Sequence, residues 1–167
     1  MQIHEEEQLT THLQQFIRCS TISNEDVEQF DWPEFTKLHG LFKEFYPTLY
    51  KEFSVTEVGR AGLLFHYASG HKEKTPLVLS AHQDVVEPGV LSLWHQEPFS
   101  GAYADGCVWG RGTTDCKHLF LAEMEAVETL FAQGFRPDYD LYIALGYSEE
   151  IYTTSGEDGG RLLKEAF

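Results

Sequence analysis

The stretch Leu77-Val78-Leu79-Ser80-Ala81-His82-Gln83-Asp84 decides how the rest of the chain is read: an apolar run that ends abruptly in a histidine and an aspartate two positions apart. Leu77, Val78, Leu79 and Ala81 show no polar alternation, which suits a parallel strand covered on both faces. Ligands in open α/β sheets bind beyond the carboxyl ends of such strands, where His82 and Asp84 lie. Residues two apart on extended backbone point to the same side. Imidazole and carboxylate can therefore emerge together, one as a metal ligand and the other as the group that fixes its tautomer. A lone His-x-Asp is more often a satisfied strand end, so the weight falls on residues further along the chain.

Two later segments repeat the pattern. Tyr139 to Gly146 reads as a second buried strand and also ends in a polar burst, Tyr147-Ser148-Glu149-Glu150. Between the two strands, Gly110-Arg-Gly-Thr-Thr-Asp115-Cys-Lys-His118 leads into a helical stretch with Phe120, Met124, Val127 and Phe131 on one face, closed by Gly134. Asp115 thus stands at a loop-to-helix junction, a position where aspartate is also a favoured helix N-cap.

The chain has 167 residues, 42% hydrophobic and 14% aromatic, enough for one core and too many for a solvated chain. Twelve Lys+Arg against 27 Asp+Glu give a net charge of -15, which argues against nucleic acid or an anionic membrane surface as partner. Cys19, Cys107 and Cys116 form no Cys-x-x-Cys pair and no disulfide framework, and the N-terminus lacks a signal-like pattern, so the expectation is a cytoplasmic protein.

Helices are expected from His4 to about Cys19, where Leu9, Leu13, Phe16 and Ile17 recur at helical spacing, and from Trp32-Pro33 until Pro47. Strands around Phe53 and Val55 and from Gly62 to Tyr67 are expected to form a hairpin over Gly59-Arg60-Ala61. Residues from Glu87 to Arg111 form a long irregular segment anchored by Trp94, Phe99, Tyr103 and Trp109, with short extended pieces flanking Asp105-Gly106 as a hairpin. Gly156 to Gly160 reads as an acidic loop before a terminal helix.

Two strand ends and one helix start thus offer His82, Asp84, Asp115, Glu149 and Glu150, an imidazole-plus-carboxylate set suited to zinc and its neighbours. A carboxylate can bridge two metals ~3.5–4 Å apart, and adjacent glutamates diverge, leaving one to coordinate and the other to act as general base.

The segments LVLSAHQDVVEPG, WHQEPFSGAYADGCVWGRGTTDCKH and GFRPDYDLYIALGYSEE, in this order, resemble the motifs of the aminoacylase, carboxypeptidase S and acetylornithine deacetylase family of di-zinc metallopeptidases. The resemblance spans about Thr75 to Glu150, with the carboxypeptidase S-like branch nearest. It implies a three-layer α/β/α, mostly parallel sheet domain, with residues 1–167 as the N-terminal part of the catalytic domain. The lid domain and the C-terminal part of the catalytic domain would be absent.

It further implies that His82 ligates the first of two zinc ions, Asp84 orients His82, Asp115 bridges both metals, Glu149 is the general base and Glu150 ligates the second zinc, with Co2+ or Mn2+ as alternatives. The reaction implied is amide hydrolysis in small peptides or N-acyl amino acids. Departures from the family pattern are Cys116 in place of a second aspartate, His118 in place of glycine or asparagine, and Ser148 before the glutamate pair. Because the family's downstream ligands are not among these residues, hydrolysis is expected to be impaired. The alternative is a non-catalytic remnant that binds metal or self-associates through a truncated surface. A cysteine hydrolase using Cys116 with His118 or His82 is the least favoured reading, because residues two apart at a helix start do not face each other.

Overall fold

A computed structural model describes residues 6–151 and 159–167. The chain runs α1 (Glu6–Ile17), α2 (Trp32–Phe45), α3 (Pro47–Glu52), β1 (Ser54–Val58), β2 (Gly62–Tyr67), β3 (Leu77–His82), β4 (Ala102–Ala104), β5 (Cys107–Trp109), α4 (His118–Ala132), β6 (Leu141–Gly146) and α5 (Gly159–Ala166). His4 and Glu5, with which the first helix was expected to open, lie outside the described residues, as do 156–158 of the expected acidic loop; Gly159 and Gly160 already belong to α5.

Four strands form one sheet in the order β1-β2-β6-β3. The short turn at Gly59 to Ala61 leaves room only for an antiparallel return, so β1 and β2 pair as a hairpin, and β2 runs antiparallel to β6. Parallel pairing falls on β3 and β6, joined by the long crossover that contains α4. The result is a mixed sheet whose parallel pair carries the residues of interest.

Period-two alternation on β2 and β6 divides the core between two layers. Leu63, Phe65, Leu141, Ile143 and Leu145 face a cluster made with Phe16 of α1, Leu38 and Phe42 of α2, Leu49 of α3, and Phe120, Met124 and Phe131 of α4. Leu64 and Ala144 face the other way, onto Leu163 of α5. Helices therefore cover both sides of the sheet, giving three α/β/α layers.

The expectation that β3 is covered on both faces is corrected. β3 is an edge strand, with Leu77 and Val78 44% and 45% exposed, and among the described residues no strand pairs with its outer side. An apolar run encodes a preference for burial, and only the surrounding chain decides whether the cover is supplied.

Pro47 does end α2, as anticipated, but it also opens a further short helix, α3, because proline suits a first helical turn. The N-terminus of α3 is held from α4: Glu128 accepts from Thr48 N at 2.9 Å and from Leu49 N at 2.8 Å. Trp94 and Trp109 anchor the irregular segment as expected, whereas Tyr103, expected to anchor it too, is exposed. Trp94 Nε1 donates to Pro88 O at 2.9 Å, Trp109 Nε1 donates to Ala104 O at 3.0 Å, and β4 and β5 pair across Asp105-Gly106, both at positive φ. Among the described residues no helix is long and apolar enough to cross a membrane.

Two charge-assisted bonds from one buried carboxylate make α3 depend on α4. Glu128→Ala is expected to lower unfolding stability by about 2–3 kcal/mol and Glu128→Gln by about 1 kcal/mol, read from urea denaturation midpoints.

Candidate metal centre

His82 closes β3 and pairs with Gly146, which closes β6. Parallel strands bring their carboxyl ends to one side of the sheet, so the residues after each strand share one space. Gln83 extends the ladder by one bond, N to Gly146 O at 2.8 Å, and its buried side chain donates to Ala61 O at 2.8 Å and Leu145 O at 3.1 Å. The exit of β3 is thereby fixed relative to β2 and β6.

Asp84 is fully buried. Its Oδ1 accepts from Glu149 N at 3.1 Å and its Oδ2 from Glu150 N at 3.2 Å, tying the strand-end glutamates to β3. The same Oδ1 lies 3.4 Å from His82 Nδ1, and the Asp84 carbonyl oxygen lies 3.0 Å from that nitrogen. Burial by itself would raise the Asp84 carboxyl, but the bonds from His82, Glu149 and Glu150 outweigh it and hold the group below the usual carboxylate range. Burial likewise disfavours a charged His82, yet the bonds to Asp84 and Cys116 outweigh it and push the imidazole up to about 11.

With Nδ1 engaged, Nε2 is the ring atom turned to the cleft. It lies 3.0 Å from Asp115 Oδ1 and 3.8 Å from Glu149 Oε2. Both carboxylates are largely exposed, at 73% and 65%, and they line an open cleft of about 930 Å³ between the ends of β3 and β6, the start of α4 and α5. Glu150 lines the same cleft, half-buried; its own burial first, and then the neighbouring carboxylates of Asp115, Asp84 and Glu149, push its pKa up. A cation placed there would relieve that crowding of negative charge.

Among the described residues, His82, Asp115 and Cys116 offer donor atoms that all lie within 4.8 Å of one another. Glu150 is not part of that tight group. Imidazole nitrogen, carboxylate oxygen and thiol sulfur are the donors zinc takes, and a histidine fixed from behind through Nδ1 presents Nε2 in the manner of a ligand, so the residues fit such an ion.

Two features were not legible in the sequence. The Cys116 thiol bridges the backbone of His82, accepting from its N–H and donating to its C=O, both at 3.3 Å, so it stands beside the imidazole. His118 is exposed at the opening of α4, a poor position to activate that thiol. Lys117 is completely buried, and the loss of hydration lowers its ammonium pKa to about 8. Asp115 does not cap α4; the helix opens three residues later, and Asp115 sits on extended backbone with φ -132° and ψ 99°.

Comparison with known proteins relates the chain to a peptidase family. Residues 78–166 match the model of peptidase family M20/M25/M40. Carboxypeptidase S of Saccharomyces cerevisiae is 37% identical over 145 residues, covering 82% of this chain and 25% of the relative. An N-fatty-acyl-amino acid synthase/hydrolase of Xenopus tropicalis is 31% identical over 163 residues, covering 96% of this chain and 31% of the relative. The structure of human carnosine dipeptidase 1 superposes with a TM-score of 0.72 at 19% identity, over 95% of this chain and 35% of that one, a likeness of fold. The chain spans about a quarter of the length of the curated carboxypeptidases it matches.

Removing the Asp84 carboxylate would leave the backbone N–H groups of Glu149 and Glu150 without their acceptor and take the negative charge from beside His82, whose Nδ1 keeps the Asp84 carbonyl oxygen. Asp84→Ala is expected to lose about 3 kcal/mol or more of unfolding stability in urea, with Asp84→Asn losing less because one oxygen remains.

Proposed function

Because the chain belongs to peptidase family M20/M25/M40, we propose that it serves zinc-dependent hydrolysis of an amide bond in a small peptide or an N-acyl amino acid. The observation that carries this reading is the meeting of His82 Nε2 with Asp115 and Glu149 at the mouth of one cleft, behind which Asp84 fixes the imidazole. Residues 1–167 are, on this reading, the N-terminal part of the catalytic domain. The names of the relatives, carboxypeptidases on one side and an N-acyl-amino acid hydrolase on the other, support the two substrate classes.

His82 would hold one zinc ion, Asp115 would bridge to a second, and Glu150 would hold that second ion from the other strand end, with Co2+ or Mn2+ as alternatives. When bound, the metal supplies Lewis-acid polarisation of the scissile carbonyl. Asp84 keeps the His82 ring oriented by accepting from Nδ1–H. Glu149, exposed and beside the imidazole, takes a proton from the attacking water at Oε2 and returns it to the nitrogen of the departing amine as the C–N bond breaks. The three cysteines are free, in keeping with a reducing, cytoplasmic setting for the proposed enzyme.

A second reading, a metal-binding or interaction domain without turnover, is favoured by one observation. Among the described residues the outer edge of β3 has no partner strand, and it carries exposed Leu77 and Val78; an unpaired apolar edge is a template for strand addition or self-association.

Turnover and self-association separate the readings. Purified protein loaded with zinc is expected to hydrolyse dipeptides or N-acyl amino acids at a reduced rate, with Glu149→Gln slowing turnover about 10²–10⁴-fold further while zinc still binds; zinc uptake without turnover favours the second reading. His82→Ala is expected to weaken zinc at least about tenfold in a chelator competition. If the edge of β3 pairs, sedimentation will show a concentration-dependent dimer that a charged residue at Val78 abolishes.

A further inference from the structure

The loop that carries Asp115 is held by a charge that the chemistry above does not use. Lys117 is fully buried, and its Nζ donates to Phe16 O at 2.9 Å and to Cys19 O at 2.6 Å. Phe16 lies in the last turn of α1 and Cys19 just beyond it, so the ammonium sits at the negative end of that helix's dipole, where a cation is favoured. The backbone N–H of Lys117 donates to Gly112 O at 2.8 Å, closing the loop over the lysine stem.

The fit around the stem is close. Gly112 is at φ +87°, and a Cβ there would come within 2.6 Å of Val85 Cγ1 and 3.3 Å of Lys117 Cε. Val85 follows Asp84 and is itself bonded to the segment after α1, N to Thr21 O at 2.9 Å. The Lys117 side chain therefore joins the loop that presents Asp115 to the end of α1, while Gly112 of the same loop sits close against Val85 at the exit of β3. A buried ammonium is costly to desolvate, so an apolar residue would fill the same space at less cost if packing were the only requirement.

We propose that Lys117 is a positioning residue for Asp115, its ammonium pinning the ligand loop to the carboxyl end of α1 so that the Asp115 carboxylate stays 3.0 Å from His82 Nε2. This rests on the reading of Asp115 as a metal ligand, and the test keeps the two apart. In the metal-free wild type, amide hydrogen exchange of residues 112–117 is expected to be as slow as that of α4; exchange as fast as an open loop overturns the proposal without needing any variant. In Lys117→Met, which keeps the stem and loses the charge, zinc affinity is expected to fall about 10–100-fold, and Lys117→Arg, which keeps cationic donors, is expected to recover part of that loss. In an Asp115→Asn background the Met substitution is expected to change zinc affinity less than about twofold. Affinity of Lys117→Met indistinguishable from wild type, or an equal loss in both backgrounds, overturns the proposal. An Asp115→Asn variant that binds zinc as wild type does refutes the ligand reading, and with it the assignment of Lys117 to metal binding.

Discussion

The carboxylate of Asp84 is the joint between the two halves of the site. Fully buried, it takes hydrogen bonds from the backbone of Glu149 and Glu150 and faces the inner nitrogen of His82. A buried carboxylate without such partners would be neutralised or excluded, so each partner is held as firmly as the cost of leaving the charge bare. The strand end of β3 and the segment after β6 are thereby locked to each other, and the outer nitrogen of His82 is left facing the cleft.

The third contributor, the loop before α4, arrives by different means. Cys116 touches the backbone of His82 on both its N–H and C=O, while Lys117 reaches back to the end of α1. Consecutive residues thus anchor the loop in two directions. Asp115, just ahead of them, is left exposed beside the imidazole. Rigid support under an exposed carboxylate is what a ligand group requires, since a ligand free to move would lose much of its binding energy to ordering.

The sheet places these groups but is not closed around them. β6 lies between β2 and β3, paired along both edges, whereas β3, which delivers His82, has one side unpaired among the described residues and two exposed apolar residues. Site and open edge belong to the same strand, so anything that covered the edge would also adjoin the cleft. Val78, Leu119 and Phe167 are among the residues that line that cleft, and each is itself exposed.

The sequence alone determined most of the elements and their order, α3 excepted. Helical spacing marked α1, α2 and α4, the Gly59 to Ala61 turn marked the hairpin, and two apolar runs ending in polar bursts marked β3 and β6, because period and turn chemistry are local properties of the chain. It also singled out His82, Asp84, Asp115, Glu149 and Glu150 as candidates, since residue type and position at strand ends are written in the order of letters. What only the tertiary structure decided was which atoms meet: that Asp84 bonds the backbone of the glutamates, that the Cys116 sulfur lies with His82 and Asp115 while Glu150 stands outside that tight group, and that Lys117 is buried. It also decided that β3 lies at an edge. Such facts depend on contacts between segments far apart in the chain, and no local pattern encodes the distance between them.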